Sequence, residues 1–199
     1  MGLDKGLSIG FCAFGVGRSV INRTEFYKQD AEILSSLGHD VRVITSWSGN
    51  ISDLDLLVVW WWNYLWMWGS LAHLSGVPTI VTGVYDLQAF TQLAMGKRWL
   101  KRWGTRFGDL HVFISQEEYQ KVPEATHIKR ETARYRPLAV DSSVYRPAGL
   151  NVRRKEPFTI LNVCWQRRTN LHRKMVLELL EAFARFSTEE KDSRLILAG

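Results

Sequence analysis

Cysteine and proline are scarce in this chain. Its 199 residues hold two cysteines, Cys12 and Cys164, and five prolines. Two cysteines cannot staple a disulfide scaffold, and both lie in apolar runs where a free thiol packs as a small hydrophobe. Few prolines beside 46% hydrophobic residues exclude a collagen-like repeat, a disordered tail or a low-complexity linker. The five histidines (His39, His73, His111, His127, His172) show no metal-ligand spacing and no acidic residue completes a set, so no metal is expected, and nothing else in the sequence calls for a cofactor. His73 and His111 read as structural. No Ser–His–Asp order can be argued, and Cys164 inside a strand is not expected as a nucleophile. No apolar run reaches the roughly 20 residues of a membrane span. Asp4 and Lys5 are followed at once by a strand-like run, so no leader is expected. A reduced, cytoplasmic setting fits these absences.

Acidic charge is also short, with 20 Asp and Glu against 26 Lys and Arg, a net +6. Residues 151–199 hold 10 basic and 6 acidic side chains, against 16 and 14 in residues 1–150. The excess therefore sits near the C-terminus, which favours a local anionic partner over a uniformly basic surface.

Strand-length apolar runs alternate with helix-length segments, the pattern of βαβ units around a parallel sheet, hence an α/β fold. Strands are expected at Ser8–Phe14, Val41–Thr45, Leu56–Trp60, Thr79–Val84, Leu110–Ser115 and Ala133–Pro137. Asn22 and Glu25 have capping-box spacing and predict the start of a helix through Tyr27, Ala31 and Leu34 that Gly38 ends. A second helix is predicted over Ala89–Trp103. The polar, basic stretch Asn151–Glu156 followed by Pro157 reads as a linker between a first domain, 1–150, and the start of a second, 151–199. The pattern then restarts with a strand at Phe158–Cys164, a periodic helix through Val176, Leu179, Leu180, Phe183 and Phe186, and a strand at Arg194–Ala198. A single βαβ is too small to bury its own faces, so the second domain reads as incomplete.

The most apolar segment, Leu56–Ala72, is broken by Asn63 and Ser70 and carries five tryptophans. Strand, loop and helix suit it better than a span. Trp66 and Trp68 could instead sit at a bilayer or acceptor interface, where indole is at home. The stretch Lys97–Trp103 bears on this choice, because on a helix Lys97, Arg98, Lys101 and Arg102 flank Trp99 and Trp103. Such helices bind anionic membrane surfaces, each cation adding about 1 kcal/mol. The plainer reading is a solvated face over buried tryptophans. No nucleic-acid motif accompanies the basic run, so nucleic acid is not an expected partner.

Two places suit phosphate. Gly15-Val16-Gly17-Arg18 follows the first strand, where glycines allow close backbone approach to an anion near a helix start. It is not the full dinucleotide fingerprint, since the third glycine and an acidic residue ending the second strand are missing. The second place is Gln166–Lys174, which joins a strand to a helix and carries Arg167, Arg168, Arg173 and Lys174. Cations in a first helical turn oppose the helix dipole by about 0.3–1 kcal/mol each, and a bound diphosphate would reverse that sign.

Several segments together resemble the retaining glycosyltransferases of the two-domain GT-B fold, the family-four group. They are Gly38–Thr45, Gly76–Thr82, Asp109–Ser115, Arg136–Asp141 with Tyr145-Arg146-Pro147, and Arg173-Lys174 through Leu180–Phe183 to Leu195–Gly199. The resemblance implies a Rossmann-like N-terminal domain that holds the acceptor and a C-terminal domain that holds most of a nucleotide-sugar. It implies that Gly15, Gly17 and Arg18 approach the donor phosphates and that Lys174, nine residues before Phe183, contacts the diphosphate. The family's Gly-Arg pair is here Cys164-Trp165, with Arg167, Arg168 or Arg173 as substitutes. Where the family often has a histidine facing the reacting sugar, this chain has Val84-Tyr85-Asp86, which makes Tyr85 and Asp86 the catalytic candidates. The family's glutamate-bearing donor motif would lie beyond Gly199, so the expectation is a glycosyltransferase fragment of hexosyltransferase type with little activity alone. Its partners would be a nucleotide-sugar donor and a saccharide or lipid-linked acceptor, with peripheral contact at the inner face of a membrane. The alternative is a non-catalytic nucleotide-binding-like module that docks on a membrane or protein partner through its Trp-rich and Lys97–Trp103 surfaces.

Overall fold

The computed structural model describes residues 6–47, 49–126, 128–139, 142, 157–164, 171–172 and 174–198. The chain divides into two compact units, Met1–Tyr145 and Arg146–Gly199.

The first unit is built on six parallel strands in the order β2-β1-β3-β4-β5-β6. They are β1 (Ser8–Cys12), β2 (Asp40–Ile44), β3 (Leu56–Trp60), β4 (Thr79–Thr82), β5 (Leu110–Phe113) and β6 (Ala133–Tyr135). Between them run α1 (Arg18–Ile21), α2 (Glu25–Ser36), α3 (Leu65–Leu74), α4 (Leu87–Gln92), α5 (Met95–Gly104) and α6 (Gln116–Thr126). This is the Rossmann-like α/β arrangement.

The near-continuous apolar strands follow from two covered faces. Leu57 and Val59 of β3 enter one core with Cys12, Val81, Phe113, Trp62 and Trp68. Val58 and Trp60 enter the other, against Ile21 and Tyr27 of α1 and α2. Trp60, Trp62 and Trp68 are each 1% exposed, and each such ring removes about 150–250 Å² from water. The segment Leu56–Ala72 is thus strand, 3₁₀ turn (Trp62–Tyr64) and helix. No helix among the described residues is long and apolar enough to cross a membrane.

Three elements differ from the sequence pattern. Asn22 does not cap α2; it closes the short α1, and Thr24 stands at the start of α2 without a side-chain cap. The Ala89–Trp103 helix is two helices, because Leu93 (ψ 145°) and Ala94 (ψ 146°) are extended. The break lets α5 take its own axis against α3, close enough that a Cβ on Gly104 would lie 2.7 Å from that of Trp66. Finally, α6 has no apolar signal: its first six residues are mostly polar, and Pro123 lies inside it.

The second unit contains β7 (Phe158–Val163) and β8 (Ser193–Ala198), a parallel pair bridged by α7 (Val176–Glu189). Phe158, Phe183 and Phe186 pack together there.

Candidate functional site

The strand order fixes where a ligand is expected. From β1 the chain moves outward to β2, then crosses back to β3 on the other side of β1. The connections leaving β1 and β3 therefore diverge, opening a crevice at the carboxyl ends of those two strands. The residues that follow β1 are Ala13, Phe14, Gly15, Val16 and Gly17, and those that follow β3 are Trp61, Trp62 and Asn63.

The two glycines of the turn play different parts. Gly15 has φ +74°, a conformation that suits glycine, and its bare Cα faces Tyr64, whose hydroxyl would lie 3.5 Å from an added Cβ. Its N–H donates to the carbonyl of Thr45 at 3.2 Å, and that of Val16 to Ala13 at 3.2 Å. Those two amides are engaged within the protein, so an anion at the turn would meet the amides that follow. Gly17, at φ −65° and ψ 144°, leads directly into α1, whose first amides have no intrahelical acceptor. Arg18 is exposed and lines a cleft of about 270 Å³ with Arg42, Thr45, Ser46 and Asn50 at the end of β2. The Arg42 guanidinium is paired with Asp53 at 3.0 Å.

An aromatic wall flanks the turn. Phe14 packs edge-on against Trp47 (5.3 Å) and Tyr64 (5.2 Å) and lies 5.9 Å from Trp68. Trp47 is 61% exposed. The sequence analysis did not single out Phe14, Trp47 or Tyr64. The available signal was an isolated tryptophan in the polar stretch Ser46–Asn50. Trp61, at φ +87°, is held by its indole N–H donating to the Tyr27 hydroxyl at 2.5 Å.

A second cluster lies beyond the end of β4. Asp86 has φ +58° and caps α4 by accepting the Ala89 N–H at 3.0 Å. Glu118 of α6, 8% exposed, accepts the N–H of Tyr85 at 3.0 Å and of Asp86 at 2.7 Å. Lys101 of α5 donates to the Tyr85 carbonyl and lies over its ring. Burial lowers the Lys101 amine to about 8, while Asp86 and Glu118 act the other way. Tyr85, expected to reach a substrate, is wholly buried among Trp62 and Phe90, and burial raises its phenol well above the ordinary value. Among the described residues its hydroxyl finds no hydrogen-bond partner, and it belongs to the core. Asp86 is half-buried at the same edge.

The tryptophan and basic candidates also separate. Trp68 is in the core and Lys101 is 7% exposed, so neither belongs to an outer face. Lys101 points inward because the tight α3–α5 approach turns that side of the helix to the protein. Trp66 is half-buried, whereas Lys97, Arg98 and Arg102 are exposed. The Arg98 guanidinium donates to the carbonyls of Thr91 and Leu93, which ties α5 back to α4.

His111 is 2% exposed, with Nε2 2.9 Å from the Thr105 carbonyl and its ring stacked on Trp62. Cys12 is buried, its thiol pushed up to about 12. Among the described residues no group of three His, Cys, Asp or Glu side chains could hold a metal ion. In the second unit Lys174 is exposed in the turn before α7. Arg167, Arg168 and Arg173 lie outside the described residues.

No protein-family model matches the sequence, and no curated protein matches it. Among solved structures the chain is similar to Anabaena Alr3699/HepE in complex with UDP and glucose, with a TM-score of 0.58 and 13% identity. It is similar also to the same protein in complex with UDP, with a TM-score of 0.59 and 12% identity. Each likeness covers 97% of this chain and 70% of the other.

Proposed function

We propose that this chain is a nucleotide-sugar-binding glycosyltransferase of the GT-B type. The observation that carries the reading is the fold it shares over 97% of its length with a protein solved in complex with UDP and glucose. The glycine turn at the carboxyl edge of β1 supports it, because that edge is where open parallel sheets take their ligands.

In this reading the first unit is the acceptor side and the second takes the donor. Lys174, with Arg167, Arg168 and Arg173, is the proposed diphosphate-binding set of the second unit, and Gly17 and Arg18 are the proposed phosphate-binding residues of the first. The bond between the anomeric carbon and the diphosphate oxygen breaks as the acceptor hydroxyl oxygen attaches and its proton passes to the departing diphosphate, with retention as in the family-four group. Negative charge grows on the departing phosphate, and fixed cations aimed at it lower the barrier. Asp86, rigidly held at the end of β4, is the carboxylate proposed to face the reacting sugar. The acceptor is a saccharide or a lipid-linked saccharide, and the exposed basic side of α5 gives the protein a peripheral hold on an anionic membrane.

Calorimetric titration of the full chain with UDP and with UDP-sugars tests the reading. Saturable binding of UDP, weakened by R18Q or K174Q, is the expected result. Absence of binding to UDP, UDP-sugars and other nucleoside diphosphates would overturn it.

A further inference from the structure

A cleft of about 430 Å³ opens between the C-terminal half of α5 and the end of α6, lined by Trp99, Arg102, Trp103, Arg106 and Thr126. Its place in the sheet separates it from the glycine turn. In a parallel sheet the helix that follows one strand ends where the next strand begins, so the ends of α5 and α6 lie at the edge where β5 and β6 start. That is the opposite edge from the glycine turn.

The lining combines two chemistries. Trp99 and Trp103 sit one turn apart and stack nearly parallel, with centroids 5.8 Å apart and planes 6° from one another. Trp99 is nevertheless 61% exposed, so one face of this apolar platform meets solvent. Trp103 is fixed from behind by an edge contact to Phe107 at 4.7 Å. Beside the platform, Arg102 and Arg106 stand one turn apart, both exposed. The carboxyl ends of α5 and α6 each contribute roughly half a negative charge. Arg102 and Arg106 set two guanidiniums against those ends, and none of the described lining residues is acidic. Lys97 and Arg98 on the same helix are also exposed. Arginine forks match the oxygens of a phosphate, and an exposed indole face suits the sugar or glycerol carbons that carry one.

We propose that this cleft binds a phosphate ester, the phosphate on Arg102 and Arg106 and its carbon skeleton on Trp99. The site is distinct from the glycine turn. A phospholipid headgroup and a soluble sugar or glycerol phosphate share the chemistry, and the experiment separates them.

Glycerol 3-phosphate is titrated calorimetrically into the full chain. In parallel, the chain is sedimented with mixed phosphatidylglycerol–phosphatidylcholine vesicles and with pure phosphatidylcholine vesicles. Binding to either phosphate source, reduced about fivefold or more in R102Q/R106Q and also reduced in W99A, supports the proposal. Vesicle binding identifies the lipid headgroup, and glycerol 3-phosphate binding alone identifies the soluble ligand. The single variants R102Q and R106Q, both at exposed positions, keep the test open should the double variant fold poorly. UDP binding is expected to be unchanged in all of them, which keeps the outcome distinct from that of the donor site proposed above. Binding to neither source, or binding that persists within about twofold in the arginine variants, overturns the proposal.

Discussion

The Lys101 ammonium lies 4.1 Å from the centroid of the Tyr85 ring and donates to that residue's own carbonyl oxygen. One cation thus clamps both the side chain and the backbone at the point where the chain turns from β4 into α4. The arrangement requires a lysine stem long enough to reach inward from α5, and it places a charge where water is nearly absent.

That charge predicts a pH dependence of stability. Burial holds the Lys101 amine at about 8 against an ordinary 10.5. Below pH 8 the amine is charged in both the folded and unfolded chain, and the burial penalty is present in full. Between 8 and 10.5 the unfolded chain holds the proton and the folded chain does not, so stability rises with pH. The gain from pH 8 to 9.5 should be about 2 kcal/mol, measured by urea unfolding at each pH. Above about pH 10 the raised phenols of Tyr85 and Tyr27 reverse the slope, because the unfolded chain then releases protons first. Lys101→Met should flatten the rise between pH 8 and 9.5; an unchanged rise would mean another group produces it.

Glu118 is the acceptor on which the same turn depends. Its two oxygens take the N–H of Tyr85, which is buried, and that of Asp86, which is half-buried. Glu118→Ala should cost about 3 kcal/mol, since each orphaned amide loses roughly 1–3. Glu118→Gln keeps one acceptor oxygen and should cost less than Glu118→Ala. Denaturant midpoints of the two variants check the order, and equal midpoints would show that the hydrogen bonds contribute little.

Much of this was legible beforehand. The strand at Leu56–Trp60 was readable because both faces of a parallel strand are covered, which removes alternation. The helix α6 was not, since Glu118 and Pro123 are poor omens for a buried helix face. Only the turn at Tyr85-Asp86 explains why a carboxylate is wanted there. Lys101 read as part of an exposed basic face because sequence spacing cannot reveal the close approach of Gly104 to Trp66. The two glycines after β1 were found by position, yet their different backbone states were not visible in the letters.

Those two glycines should respond oppositely to alanine. Gly15 has φ +74° with only an ordinary contact at 3.5 Å, so Gly15→Ala should cost about 1–2 kcal/mol through backbone strain rather than a clash. Gly17 has φ −65°, and the nearest atom to an added Cβ is Ser19 Oγ at 3.9 Å. Gly17→Ala should therefore leave stability unchanged or raise it by about 0.4–1 kcal/mol. Thermal unfolding of both variants distinguishes the cases. Loss of stability in Gly17→Ala would mean that its backbone is not free to carry a side chain.

Arg18 and Lys174 provide the most direct test of the proposed donor site, because both are exposed and their loss removes no core contact. Arg18 lies in the first turn of α1, where a cation opposes the helix dipole. Without an anion, Arg18→Gln should therefore shift stability by no more than about 0.5 kcal/mol, and in the stabilising direction. With UDP bound, the sign changes: each cation lost should weaken binding about fivefold to tenfold, the equivalent of roughly 1–1.4 kcal/mol. The double variant should lose close to the product of the two if each cation meets the diphosphate separately. Calorimetric titration with UDP measures all three, and thermal unfolding of the free proteins provides the control. If only Lys174→Gln weakens UDP, the glycine turn has no part in holding the phosphates. If neither variant changes UDP affinity, the assignment of these cations fails while the fold assignment stands.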